Sequence, residues 1–350
     1  MAKKVFVGMS GGVDSSLSAA FLKEQGFDVT GVYMKNWTRS LPGFVCPWKE
    51  DFKDAKTIAV QLDIPLEVFD FEEQYRQKVV DYMLDAYKSG LTPNPDIMCN
   101  QEIKFKLFLN AALDMGADYI ATGHYARTKS GLLLKGKDKL KDQSYFLYRV
   151  SPEALRHTIF PIGELDKKQV REEALKRGLV TASKPDSQGI CFVGEVGIKQ
   201  FLLSELGDQP MGPIVDHNGK LVGHHDGAIF YTIGQRHGLN IGGGLPYYVT
   251  HKNMKTNTVY VTTDLNDAKL WSSRVDITSP WWINQEPQSG RGYQVKCRYR
   301  SDSTPCRVYL TKVGVRLELD DEIRAVSAGQ SAVIYDGNIV VGGGIIQGGS

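Results

Sequence analysis

The apolar run Val5-Phe6-Val7 breaks into SerGlyGlyValAspSerSer at residues 10–16 and resumes at once as Leu17-Ser18-Ala19-Ala20-Phe21-Leu22. A strand that turns through glycines and hydroxyls straight into a helix commits this end of the chain to an α/β layer, with the turn at the carboxyl end of a strand. Gly11 and Gly12 carry no side chain, so backbone N–H groups can close around a phosphate there. Ser10, Ser15 and Ser16 add hydroxyl donors, and the helix N-terminus adds positive potential. The loop lacks the lysine of a GxxxxGK[ST] loop, so it suits holding pyrophosphate while chemistry proceeds at the α-phosphate. A turn that merely caps a helix accounts for SGG alone, not for the whole heptapeptide in this setting.

The alternation continues. Strands are expected over 5–9, 28–34, 66–71 and 119–122, and helices over 15–25, 52–62, 72–87 and 103–115. This βαβ order predicts a parallel sheet with helices on both faces and ligands at the carboxyl ends of its strands. A helix over 166–177, with Asp166 as N-cap and Gly178 as its stop, extends the first domain. Near Gly207 glycine and proline rise and helical periodicity vanishes. The fold class expected is therefore α/β: a parallel-sheet nucleotide domain over 1–206, a small β-rich module over 207–270, and an all-β barrel or sandwich over 271–350. Strands in that last part are expected over 293–299, 306–311, 331–335 and 339–341.

No apolar stretch approaches the ~20 residues that span a bilayer, and MetAlaLysLys runs into a strand without a signal-peptide core, so a cytoplasmic protein is expected. Cys46, Cys99, Cys191, Cys297 and Cys306 form no CxxC pair and no zinc spacing, and an odd, scattered set argues against a disulfide framework. Two of them sit in proline-bearing segments. Residues 92–100 read ThrProAsnProAspIleMetCysAsn, expected as a rigid loop presenting Asp96 and Cys99 because prolines two apart oppose regular helix. Residues 184–192 read LysProAspSerGlnGlyIleCysPhe and carry Cys191. Both segments are expected to be mobile without RNA and to approach each other when it binds. Cys46, Cys297 and Cys306 read as small buried hydrophobes. His224, His225 and His237 lack a carboxylate or cysteine at ligand spacing, so no metal site is expected of them. The net charge of +2 is neutral on the question of nucleic acid, but Lys129, Lys135, Lys137, Lys139 and Lys141 punctuate one stretch. Arg291, Lys296, Arg298, Arg300 and Arg307 cluster in another, interleaved with Tyr293 and Tyr299, a pattern that suits phosphates and unpaired bases.

SGGVDSS resembles the PP-loop of the ATP pyrophosphatases. Together with NPDxxCN, ATGHYA, KDQSYFL, DSQGICF and YTIGQRHGL, running in order from Ser10 to Leu239, it resembles the tRNA-specific 2-thiouridylases over essentially the whole chain. The resemblance implies that Gly8, Met9, Ser10, Gly11, Gly12, Val13, Asp14 and Ser15 bind the phosphates of ATP, with Asp14 helping to organise Mg2+. It implies that Met34 lies along the adenine and that Gly123 approaches the nucleotide. Asn94, Pro95 and Asp96 would meet the target base. His124, Lys141, Asp142, Gln143, Arg298, Tyr299 and Gln330 would contact tRNA. Cys99 would be the nucleophile, and Cys191 would carry sulfur as a persulfide.

The chemistry is consistent with that assignment. A uracil carbonyl oxygen leaves poorly until adenylation converts it into bound AMP, and an α-phosphate-directed ATP site meets this need. A cysteine persulfide keeps the incoming sulfur on the protein, and a second thiol can resolve it, leaving a Cys99–Cys191 disulfide for a reductant to reopen. The expected partners are tRNA, with lysine, glutamate and glutamine acceptors, and a persulfide donor such as a cysteine desulfurase or sulfur-relay protein. Another adenylating ligase of the PP-loop class, using ammonia on a small molecule, is the alternative; it would need neither paired cysteines nor a basic β domain. A non-catalytic RNA-binding protein would not need Asp14-Ser15-Ser16 intact.

Overall fold

The computed structural model describes residues 2–40, 46–186, 197–242, 244–283 and 285–349. The chain divides into two units. One comprises Met1–Val80, Pro95–Gly197 and Asn338–Val340; the other comprises Asp81–Asn94, Ile198–Gly337 and Val341–Ser350.

The first unit is built on β1 (Lys4–Gly8), β2 (Asp28–Lys35), β3 (Leu66–Asp70) and β4 (Tyr119–Ala121). A hairpin of β5 (Ala126–Lys129) and β6 (Leu132–Lys135) follows, then the short β7 (Thr158–Ile159). The sheet order is β3-β2-β1-β4-β7 and every pair is parallel. The central strand β1 is buried on both faces, which is why it reads as a continuous apolar run. On one face Val5 and Val7 join Leu17, Ala20 and Ile58 of the helices α1 (Val13–Glu24) and α2 (Trp48–Gln61). Phe6, with Phe69 at 6.4 Å, marks the other face, where Phe108 reaches Phe69 at 6.1 Å. Helix α3 (Lys167–Lys176) starts with a capping box: Asp166 accepts from the Gln169 amide at 2.8 Å, and Gln169 Oε1 accepts from the Asp166 amide at 2.9 Å. The β5–β6 hairpin is completed by residues 338–340, with Leu134 opposite Ile339.

One local expectation fails. Residues 95–100 are helical, not loop: Pro95–Met98 forms an α turn, Cys99–Leu107 is π-helical, and Phe108–Asp114 is α again. Pro95 occupies the first helical position, where its missing N–H has no acceptor to lose and its fixed φ suits the helix. Cys99 is accordingly buried at 4% exposure in ordered helix, which removes the reason for expecting a mobile segment there. A π stretch, Arg76–Val80, also interrupts the helix expected over 72–87, between Glu72–Tyr75 and Asp81–Lys88.

The second unit holds two β assemblies. In the first, β8 (Gly212–Val215), β9 (Leu221–His225), β10 (Tyr248–Asn253) and β11 (Thr258–Thr262) form a sheet ordered β10-β11-β8-β9 around Ile214, Val249, Val259 and Val261. In the second, β12 (Trp271–Trp282), β13 (Gly292–Lys296), β14 (Thr304–Thr311), β15 (Gly314–Arg324), β16 (Ser331–Asp336) and β17 (Ile339–Gly349) run β12-β15-β14-β13-β16-β17. Antiparallel pairing of β12 with β17 closes them into a six-stranded barrel and leaves no free edge.

Candidate active site

The loop between β1 and α1 stands at the carboxyl end of the central strand. Gly11 has φ +74°, and a Cβ there would meet the Asp51 carbonyl oxygen at 2.4 Å, so only glycine fits. Ser10, the exposed member of the loop, gives its amide to Ser15 Oγ at 3.2 Å. The Ser15 and Ser16 hydroxyls both donate to the Gly12 carbonyl, at 3.1 and 2.8 Å. Gly12 occupies the N-cap of α1 and no side chain caps the helix, which leaves the first-turn amides available to an anion. Met9 and Val13 are buried in the core beneath. Met34 closes over β1: a Cβ on Gly8 would lie 3.0 Å from its terminal methyl. Gly123, just past β4, comes so near the start of α1 that a Cβ would be 2.8 Å from Asp14 C and Ser15 N. Gly8, Gly11, Gly12, Asp14, Ser15, Met34 and Gly123 are therefore brought around one strand end.

A charged cluster adjoins the loop, assembled from residues far apart in the chain. Asp14 accepts from Lys167 Nζ at 2.8 and 2.9 Å and from the Tyr125 hydroxyl at 2.7 Å. Lys167 also meets Asp186 at 2.8 Å, and Asp186 is further paired with Lys141 at 2.7 Å and Arg171 at 2.9 Å. Burial opposes ionisation of Asp186, but hydrogen bonds from Lys141 and Lys167 overcome it and lower its pKa to about 2. Burial and the Asp14 charge push the Tyr125 hydroxyl far up, so it stays a donor. Because the Asp186 pKa is lowered on folding, its stabilisation is complete above the unfolded value of 3.8 and is lost as pH falls toward about 2. Asp186→Asn is expected to lose less stability on acidification than the parent, read from urea titrations across that window. Lys184 ties the same segment to α2 through Asp51 at 2.8 Å and Asp54 at 2.6 Å.

Among the described residues no three His, Cys, Asp or Glu side chains gather as a metal site. A single carboxylate, Asp14, beside a phosphate loop fits Mg2+, which needs only one or two protein carboxylates when phosphates and water fill its remaining positions.

Asp96 and Cys99 lie three apart in the helical run 95–114, the spacing that stacks neighbours on one face. Burial raises the Asp96 carboxyl pKa, against the lowering charge of Lys104. Beside Cys99, Asn100 is 3% exposed; its amide nitrogen donates to the Phe146 carbonyl at 3.2 Å, and its Oδ1 has no partner among the described residues. Cys191 lies outside the described residues. Burial pushes the thiols of Cys297 and Cys306 up to about 12 and raises that of Cys46, in keeping with an inert reading of all three.

The residues implied as tRNA contacts divide. Lys141 is engaged with Asp186. Asp142 is buried, and its Oδ1 accepts the amides of Gly136 at 2.9 Å and Ser144 at 3.1 Å. Asp142→Ala strands these amides and is expected to cost roughly 2–4 kcal/mol in urea unfolding, whatever its effect on RNA. Gln143 Oε1 accepts the Tyr125 amide at 3.0 Å. His124 is 8% exposed, bonded to Thr122 Oγ1 at 2.8 Å and flanked by Phe105 and Phe160, and burial holds it neutral. In the second unit Arg298 donates to the carbonyls of Ile233 and Ala325, and Arg300 covers the Tyr299 ring at 5.4 Å. Gln330 donates to the carbonyls of Thr92 at 2.8 Å and Pro93 at 3.4 Å, immediately before Asn94.

A nucleotide loop of this type, followed by a β module and a closed barrel, defines a class of multidomain ATP-using tRNA-modifying enzymes, and the known families agree. Residues 3–195 match the family described as tRNA methyl transferase HUP domain, 199–263 its PRC-barrel domain, and 272–346 an aminomethyltransferase beta-barrel domain. The tRNA-specific 2-thiouridylase MnmA of Bacillus cereus (strain ATCC 14579) is 47% identical over 98% of this chain and 94% of its own length. That of Bacillus subtilis (strain 168) is 46% identical over 98% and 95%. This chain belongs to the tRNA-specific 2-thiouridylase family. Among solved structures, a 4-thiouridine synthetase–RNA complex with bound ATP aligns over 55% of this chain and 45% of its own, at 18% identity and TM-score 0.36.

Proposed function

We infer that the protein is an ATP-dependent tRNA sulfurtransferase that makes 2-thiouridine at the wobble position, 34. Near full-length identity to the 2-thiouridylases carries this reading, and the phosphate loop with an uncapped helix beside Asp14 supports it. The substrates are ATP and tRNAs for lysine, glutamate and glutamine; Asp14 is the residue that would hold Mg2+, which would offset phosphate charge. The uracil 2-oxygen bonds to the α-phosphorus as the bond to pyrophosphate breaks, and the uracil gives its ring N–H proton to Asp96, whose raised pKa suits a base. The terminal sulfur of a Cys191 persulfide then bonds to carbon 2, and AMP leaves with the oxygen. Cys99 attacks the remaining Cys191 sulfur, breaks the sulfur–sulfur bond to free the thiouridine, and leaves a Cys99–Cys191 disulfide that a thiol reductant reopens. A cysteine desulfurase or relay protein loads Cys191. Nucleoside mass spectrometry of tRNA from cells lacking this protein tests the reading: loss of the 2-thio group at the wobble uridine is expected, and its full retention would sink it.

A further inference from the structure

The nucleotide loop contains no lysine, yet an ammonium group stands beside it. Lys167 is the first residue of α3, and its place is fixed twice. The Asp166–Gln169 capping box sets the start of the helix, and the Lys167 amide donates to Asp138 Oδ2 at 3.0 Å. Its side chain is 15% exposed, whereas the next residue, Lys168, is 87% exposed and meets Glu172 at 3.8 Å, as an ordinary surface lysine does. The Lys167 ammonium touches both Asp14 oxygens and Asp186, with the Tyr125 ring 5.7 Å away.

This arrangement is richer in charge than a structural pair requires. Asp186 already has Lys141 and Arg171, and Asp14 already has the Tyr125 hydroxyl. With Asp138, which accepts the Lys167 amide, three carboxylates face three cations beside uncapped helix amides, and neither Asp14 nor Asp186 depends on Lys167 alone. Ordering a long lysine and desolvating it on carboxylates that have other partners gains little by itself. An ammonium whose partners are supplied elsewhere can be given up at low cost to a stronger anion.

We propose that Lys167 is a pyrophosphate-binding residue of the nucleotide site: on ATP binding its ammonium passes from Asp14 and Asp186 to the β- and γ-phosphates. A lysine delivered from a helix 153 residues after Asp14 thus takes the part that a loop lysine plays in GxxxxGK[ST] proteins. The transfer also frees Asp14 for the metal. The inference rests on ATP being held at the SGGVDSS loop.

The test is equilibrium dialysis of ATP, AMP and inorganic pyrophosphate, each with Mg2+, against the full chain and its Lys167→Met and Lys167→Arg variants. Lys167→Met is expected to weaken ATP and pyrophosphate by about tenfold or more, the size of a lost charge-assisted hydrogen bond. AMP should change by less than about twofold, because it lacks the phosphates in question. Lys167→Arg should recover most of the loss. Equal weakening of AMP and ATP, or no change in ATP, would overturn the proposal. Asp186→Asn combined with Lys167→Met controls for the negative charge that Lys167 had offset in the cluster. Pyrophosphate affinity restored in that pair would reduce Lys167 to a counter-ion and reject the role. Wild-type protein that binds pyrophosphate through Lys167 but does not thiolate tRNA would refute the sulfurtransferase reading alone. Thiolation without Lys167-dependent pyrophosphate affinity would refute this inference alone.

Discussion

Serine in place of Cys99 is expected to reduce 2-thiouridine formation by about a thousandfold or more, a loss of roughly 4 kcal/mol of transition-state stabilisation, while tRNA-dependent pyrophosphate release survives its first turnover. Adenylation uses a uracil oxygen as attacking atom and no thiol, so the two half-reactions separate. Cys99→Ser should still load sulfur at Cys191, since serine at 99 blocks only the resolving step; Cys191→Ser should fail to load at all. Asp14→Ala is expected to abolish pyrophosphate release and thiolation together. Cys46, Cys297 and Cys306 to Ser should retain sulfur transfer, because their buried thiols are held protonated. Radiolabelled sulfur counted on protein and on tRNA, alongside pyrophosphate, distinguishes these outcomes. Wild-type thiolation by Cys99→Ser would remove that residue from the reaction.

The second large effect is steric. Gly11→Ala forces an alanine into φ +74° and drives its Cβ to 2.4 Å from the Asp51 carbonyl oxygen. The left-handed conformation alone costs about 1–3 kcal/mol, and the clash has no flexible side chain to yield because the obstacle is backbone. The loop or the start of α2 must move. Loss of ATP affinity by at least about tenfold is expected, with a lower thermal midpoint, both read on the same preparation. Retention of full ATP affinity would show that the loop does not need this backbone shape.

What could be read from the residues alone was what is written locally. The β1–loop–α1 unit, the parallel alternation, and the Asp166 cap each follow from a strong periodic or capping signal within a few residues. Pro95 misled because the same ring that breaks a helix interior also starts a helix well, and sequence does not say which side of the boundary it occupies. The π segments 76–80 and 99–107 leave no compositional trace. Strands β12 and β15 were missed because Ser272-Ser273, Pro280 and Asp320-Asp321-Glu322 interrupt their alternation, with a bulge at 272–274 in the pairing. The charged cluster was beyond reach for a different reason: Lys167 and Tyr125 meet Asp14 across more than a hundred residues, with Asp186 joined through Lys167, and only the sheet topology brings them together. A lysine directly after an N-cap aspartate, in a chain whose phosphate loop has none, is the one clue that was available.

The division of the chain also bears on the order in which the protein is made. The backbone passes between the two units five times, after Val80, Asn94, Gly197, Gly337 and Val340. Residues 338–340 complete the β5–β6 hairpin of the first unit, yet they are synthesised after nearly all of the second. A ribosome-bound nascent chain therefore cannot finish the nucleotide unit when its 197th residue emerges, and the Asp81–Asn94 stretch waits over a hundred residues for the unit it belongs to. Completion of both units falls at the last stage of translation, since Asn338–Val340 ends one and Val341–Ser350 ends the other.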